Sequence, residues 1–260
     1  MKNNFKVAEG FSLIELLMVI ASIGVLAALL LPVLSASKHK AQQTVCTSNL
    51  RQINLGVRMY SDDARDASPS VGWSGAALTN VAPYAAYKAL MKNYVGLNGQ
   101  SSPRDKLFAC PADTFYPTCV FPDATPPFHF MHKSLHDDPI LDFSSYAFNG
   151  GDNASHKLGT NSLQVTGMTG IRLSSVKKTA RTVLLLEASG LAPWSWHDPS
   201  SHGVARDDGA YYNDAKNIVS FVDGHVRYIK MFWNPGRPPG HGPAWLYDPP
   251  PSYDYQWSPD

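Results

Sequence analysis

The chain has 260 residues, with 22 Lys and Arg against 21 Asp and Glu, for a formal net charge of +1. With a balance this close to neutral, nothing suggests a nucleic-acid surface. Charged residues at 17%, beside 19 Gly, 20 Pro, six Trp and twelve Tyr, suit a loop-rich extracytoplasmic domain better than a compact cytosolic enzyme.

The chain begins with a short polar leader, residues 1–10, carrying Lys2 and Lys6. From Phe11 to Leu34 follow about 24 almost wholly apolar residues, roughly 36 Å of helix and enough to cross a bilayer. Glu15 interrupts this run near its start. A lone carboxylate in hydrocarbon costs several kcal/mol unless a partner compensates it, so it marks a functional site. A secretory signal peptide would place its cleavage after the apolar stretch. A plain signal anchor would explain the hydrophobicity but would have no use for Glu15. Lys38 and Lys40 follow the span much as Lys2 and Lys6 precede it, so charge bias does not orient the segment.

The Gly10-Phe11 junction, with Glu15 four residues beyond the new terminus, resembles the class III signal of type IV pilins and type II secretion pseudopilins. That resemblance implies cleavage after Gly10 by a prepilin peptidase and methylation of Phe11. It also implies that Glu15 compensates the N-terminal ammonium of a neighbouring subunit in a helical fibre. Such an ion pair adds little net stability when formed, yet leaving either partner alone is penalised, and this makes it selective.

Pro32 should kink the helix rather than end it. Beyond it the pattern becomes amphipathic: Cys46, Asn49, Leu50, Ile53, Val57 and Tyr60 recur on one face at three- and four-residue steps, with Lys40, Arg51 and Arg58 elsewhere. One helix is expected from about Leu13 to Asp62, with residues 11–34 serving the membrane or fibre core and 35–62 packing on a globular domain. The clearest strand signal is 217–230, where Asp223-Gly224 reads as a two-residue hairpin turn. That turn would pair Phe221 with Val226 and Val219 with Tyr228, put all four on the helix, and point Ser220, Arg227 and His225 outward. Thr182–Glu187 has the content of a central strand, and Ser144–Asn149 is a weaker one.

The segments Cys46–Ile53, Phe108–Asp113, Ser145–Asn149 and Phe221–Val226 also look like those of a large bacterial pilin-like family with a C-terminal His…Asp-Gly signature. The implied fold is α+β and pilin-like: a long N-terminal helix, its first half membrane-spanning, packed on a small antiparallel β-sheet with long loops. His202 stands further ahead of Asp223 than that signature has it, so no role is carried over to it. The globular domain would occupy 63–232, with 233–260 as a Pro- and aromatic-rich tail that either wraps its own domain or contacts a ligand or subunit.

Three cysteines face an oxidising compartment if this topology holds. The family's Phe-Ala-Cys-Pro motif at Cys110, with Cys46 on the inner helix face, favours a Cys46–Cys110 disulfide; Cys110–Cys119 and three free thiols remain alternatives. His129, His132 and His136 with Asp137 and Asp138 match no specific zinc spacing and read as a solvated loop. His197, Asp198, Ser200 and His202 are close in sequence, which is weak ground for a triad. Asp207, Asp208 and Asp214 offer hard oxygen ligands of the kind calcium takes, against the simpler reading of a solvated loop; no other cofactor is implied.

The sequence is thus read as a non-catalytic fibre subunit, made as a single-pass inner-membrane precursor in contact with lipid. Its expected partners are prepilin peptidase, identical or related pilin subunits and an inner-membrane assembly platform, with its final place in a type IV pilus or a secretion pseudopilus. The alternative is a membrane-anchored extracytoplasmic domain that binds metal or carbohydrate or acts as a hydrolase.

Overall fold

A computed structural model describes residues 12–70, 83–99, 102, 104–113, 144–150, 167–191, 195–197, 215–232 and 248–260. Helix α1 runs Leu13–Asp63 and continues through Pro32. The chain divides into two compact units, residues 1–41 and 42–260. In the first, the apolar side chains from Leu13 to Leu34 are exposed. The second holds the core.

The inner face of α1 follows the predicted period. Cys46, Leu50, Ile53 and Val57 are fully buried, and Asn49 is nearly so. Each large aliphatic side chain buried in this way contributes about 1.5–3 kcal/mol. Three further residues of this face, Asn54, Gly56 and Ser61, are also buried. A Cβ on Gly56 would stand 2.7 Å from Val95 Cγ1, so only glycine lets the helix pass the 3-10 turn Lys92–Val95 at this distance. The helix closes with the Asp66 amide donating to Ser61 O (2.7 Å) and Arg65 in the left-handed region (φ 57°), a Schellman-type end without glycine.

The sheet has four antiparallel strands in the order β1 (Tyr146–Phe148), β2 (Val183–Glu187), β3 (Lys216–Phe221) and β4 (Val226–Lys230). All three segments expected to form strands do so, but the hairpin register is one residue away from the predicted one. Ser220 pairs with Val226, Val219 with Arg227 and Ile218 with Tyr228. The loop holds three residues rather than two: the Phe221 amide donates to His225 O (3.0 Å), and Gly224, at φ 94°, takes the left-handed position of a bulged turn. The slip exchanges the faces of β3 alone: Val226 and Tyr228, paired with Ser220 and Ile218, keep the helix side expected of them, and Arg227 stays on the other. Ser220, expected outside, meets the helix, where Asn54 Nδ2 donates to its Oγ (2.7 Å) and to Phe221 O (2.8 Å). Arg58, also expected away from the domain, donates to Asn54 Oδ1 (3.3 Å) and to Val222 O at the turn.

Val219 and Phe221 therefore lie on the side away from α1, yet both are fully buried. The C-terminal residues cover part of that side. Arg227 pairs with Asp254, Tyr255 and Trp257 are buried, and the Val183 amide donates to Gln256 O (2.9 Å). With both faces covered, β2 and β3 are apolar or satisfied along almost their whole length, and alternation carries little information about register.

Helix α2 (Pro83–Met91) packs beside β1 on the α1 side. The Tyr87 hydroxyl donates to Tyr146 O (3.0 Å), and the Tyr146 hydroxyl accepts from Asn49 Nδ2 (3.1 Å). Burial pushes both phenols well above their usual range, so they serve as neutral hydrogen-bonding groups. Lys88 and Lys92 are buried and share Asp105, with Nζ to Oδ2 distances of 3.4 and 3.0 Å.

Candidate functional site

The N-terminal end of α1 is built around a short local contact. Ser12 precedes the helix, and its amide donates to Glu15 Oε2 (2.9 Å), while the Ile14 amide reaches Ser12 Oγ at 3.4 Å. This is the S-x-x-E capping box, in which the first-turn carboxylate satisfies an amide that the helix cannot. The sequence carries the signature openly at Ser12-Leu13-Ile14-Glu15, although reading Glu15 only as a membrane charge passes over it. The carboxylate is exposed, and the large side chains that follow it to Leu34 are exposed as well. Its acceptor capacity exceeds one bond, so the cap leaves it able to receive a cation from elsewhere.

A second cluster lies inside the domain. Cys46 on α1 and Cys110, just after the 3-10 turn Lys106–Phe108, are joined by a disulfide. Glu187 at the end of β2 is fully buried on the same side of the sheet. Its Oε2 accepts from the Ile218 amide (2.9 Å), and its Oε1 lies 2.7 Å from His197 Nε2 and 3.5 Å from Cys110 Sγ. His197 Nδ1 is buried without a hydrogen-bond partner among the described residues. The disulfide fixes α1 to the 106–113 loop, and the carboxylate ties that junction to the sheet.

In the sequence, His197 stands only among neighbours in its own loop and Glu187 only ends a strand. The structure instead joins them to cysteines far away in sequence, with separations of 64 residues for Cys46–Cys110 and 77 for Cys110–Glu187. A carboxylate closing the apolar run Val183–Leu186 was the available signal, since a buried charge needs a partner. Gly10 and Phe11, the proposed cleavage pair, lie outside the described residues, as do Cys119, the calcium candidates Asp207, Asp208 and Asp214, the cluster His129, His132, His136, Asp137 and Asp138, and Asp198, Ser200 and His202.

One long N-terminal helix, apolar enough over its first part to cross a membrane, packed through its second part on a four-stranded antiparallel sheet, is the layout of a type IV pilin-like protein. Over 56 residues the chain is 48% identical to the type IV wide pilus major component PilA4 of Thermus thermophilus. The match takes in 22% of this chain and spans 43% of the length of that relative. No family model matches the chain, and no solved structure matches it.

Proposed function

We propose that the protein is a non-catalytic structural subunit, cleaved between Gly10 and Phe11 by prepilin peptidase and assembled with identical or related subunits into a type IV pilus or a secretion pseudopilus. The observation that carries this reading is the first half of α1. It is long enough to cross a membrane, and its large apolar side chains are exposed. In the precursor, lipid would cover that surface; in a fibre, the same half of neighbouring subunits would. The similarity to a pilus component points the same way. Glu15 would then select subunit register by meeting a neighbour's terminal ammonium, because an unmatched charge in that apolar surrounding is penalised.

The capping box favours a second reading, in which Glu15 only starts the helix and the span is a plain anchor for the domain. Glu15→Gln separates the two. Glutamine serves the cap as glutamate does, but it carries no charge. The fibre reading expects the substituted chain to insert and fold normally and to be excluded from fibres. Fibre yield equal to that of the parent would leave the anchor reading in place.

A further inference from the structure

We propose that the reduced form of the buried Cys46, Cys110, Glu187 and His197 cluster is a Zn²⁺ site, so that a metal ion and a disulfide are alternative locks on the same junction of α1, the 106–113 loop and the sheet. One ligand atom from each of the four side chains lies within 4.8 Å of all the others. Two thiolates, an imidazole and a carboxylate form a donor set suited to zinc. The two cysteines and Glu187 are fully buried, and the His197 side chain is 1% exposed, which excludes competing water.

The distances leave little to rearrange. Zinc bonds of ~2.3 Å to sulfur and ~2.0 Å to nitrogen and oxygen put tetrahedral ligand atoms roughly 3.3–3.8 Å apart. Cys110 Sγ already stands 3.5 Å from Glu187 Oε1 and 3.6 Å from His197 Nε2. The Glu187–His197 contact of 2.7 Å must open by about half an ångström. The two sulfurs must also part once their bond is broken. The Ile218 amide holds Glu187 by Oε2, which leaves Oε1 facing the cluster, and orientation by an outer group of this kind is what metal ligands require. The chemistry balances with a phosphine as reductant. The Cys46–Cys110 S–S bond breaks, phosphorus takes oxygen from water to become phosphine oxide, and the two protons of that water end on the two sulfurs. Zn²⁺ then displaces those protons to the buffer.

The test uses the full chain in detergent, with and without prior reduction by a water-soluble phosphine, equilibrated with Zn²⁺ alone and desalted before metal per chain is measured. The expected result is one zinc per reduced chain and none on the oxidised chain. Cys119→Ser should bind as the parent does, while Glu187→Gln and His197→Gln should each weaken binding by about tenfold or more. Co²⁺ in place of zinc gives a readout on the unsubstituted chain that no folding defect can confuse. Reduction should bring up a thiolate-to-cobalt charge-transfer band with tetrahedral ligand-field bands, absent before reduction. The proposal is overturned if the reduced chain takes no zinc or if both forms take it equally. It is equally overturned by loss of binding in Cys119→Ser, by unchanged binding in folded Glu187→Gln and His197→Gln, or by a cobalt spectrum without thiolate bands.

Discussion

The two halves of α1 differ in what their neighbours do for them. From Leu13 to Leu34 the large side chains are exposed, whereas from Cys46 to Val57 the inner positions are sealed by a disulfide, by Asn54 and by close contact at Gly56. Secondary structure is the same in both. The second half is specified by matched neighbours within the chain, and the first presents an apolar surface on every side. A helix that is apolar on every side belongs in a membrane or in the core of an assembly.

Substitutions in the domain should therefore be felt in its unfolding, and those in the first half should not. The largest effect is expected at the sheet: Phe221→Ala should cost about 3–5 kcal/mol by urea unfolding, while Leu29→Ala, at a position 67% exposed, should leave the same transition where it was. Next comes the buried ion cluster. Asp105→Asn removes the carboxylate shared by Lys88 and Lys92 and should cost about 2–3 kcal/mol, less than for a fully enclosed pair because Asp105 retains some solvent contact.

Acid should act at the same place. Burial raises the Asp105 pKa, but the Ser102 amide, Lys92 and Lys88 outweigh it and hold the carboxyl below its ordinary value. The folded pKa therefore lies below the unfolded one, so this contribution is complete above an unfolded carboxylate pKa of about 3.9 and fades as pH falls through the folded value. The urea midpoint of Asp105→Asn should accordingly fall less steeply below about pH 4 than that of the parent.

The same change, glycine to alanine, has opposite consequences in the two halves. Gly56→Ala should destabilise the domain by about 1–3 kcal/mol, since its Cβ would stand 2.7 Å from a stiff valine. Gly24→Ala meets nothing within 4 Å among the described residues and should leave domain unfolding unchanged while raising helix propensity by about 1 kcal/mol. The smallest loss within the domain belongs to the exposed Arg227–Asp254 pair, where Arg227→Ala should cost about 0.5 kcal/mol or less.

What the sequence disclosed follows the same division. The helix and its inner face were legible because an apolar residue at every third or fourth place has few other solutions. The strands were legible from their β-branched and aromatic content. The hairpin register was not, because Asp223-Gly224 suits a three-residue bulged loop as well as a two-residue turn, and the buried far face removed the alternation that would have decided between them. The reading that Ser220 faces water failed for that reason. Glu187 and His197 could be named as residues but not as neighbours of Cys110, since their meeting depends on how the sheet and the 106–113 loop come together. At Ser12 and Glu15 the pattern was local and present; it was hidden behind a more conspicuous explanation of the same carboxylate.

The central claim, that the exposed first half of α1 is a fibre core awaiting its neighbours, is tested most directly by mass spectrometry of this chain's N-terminal peptide in fibres sheared from the cell surface. The account predicts that the sheared fraction contains the chain beginning at N-methylated Phe11. A chain confined to the membrane fraction and still beginning at Met1 would contradict it.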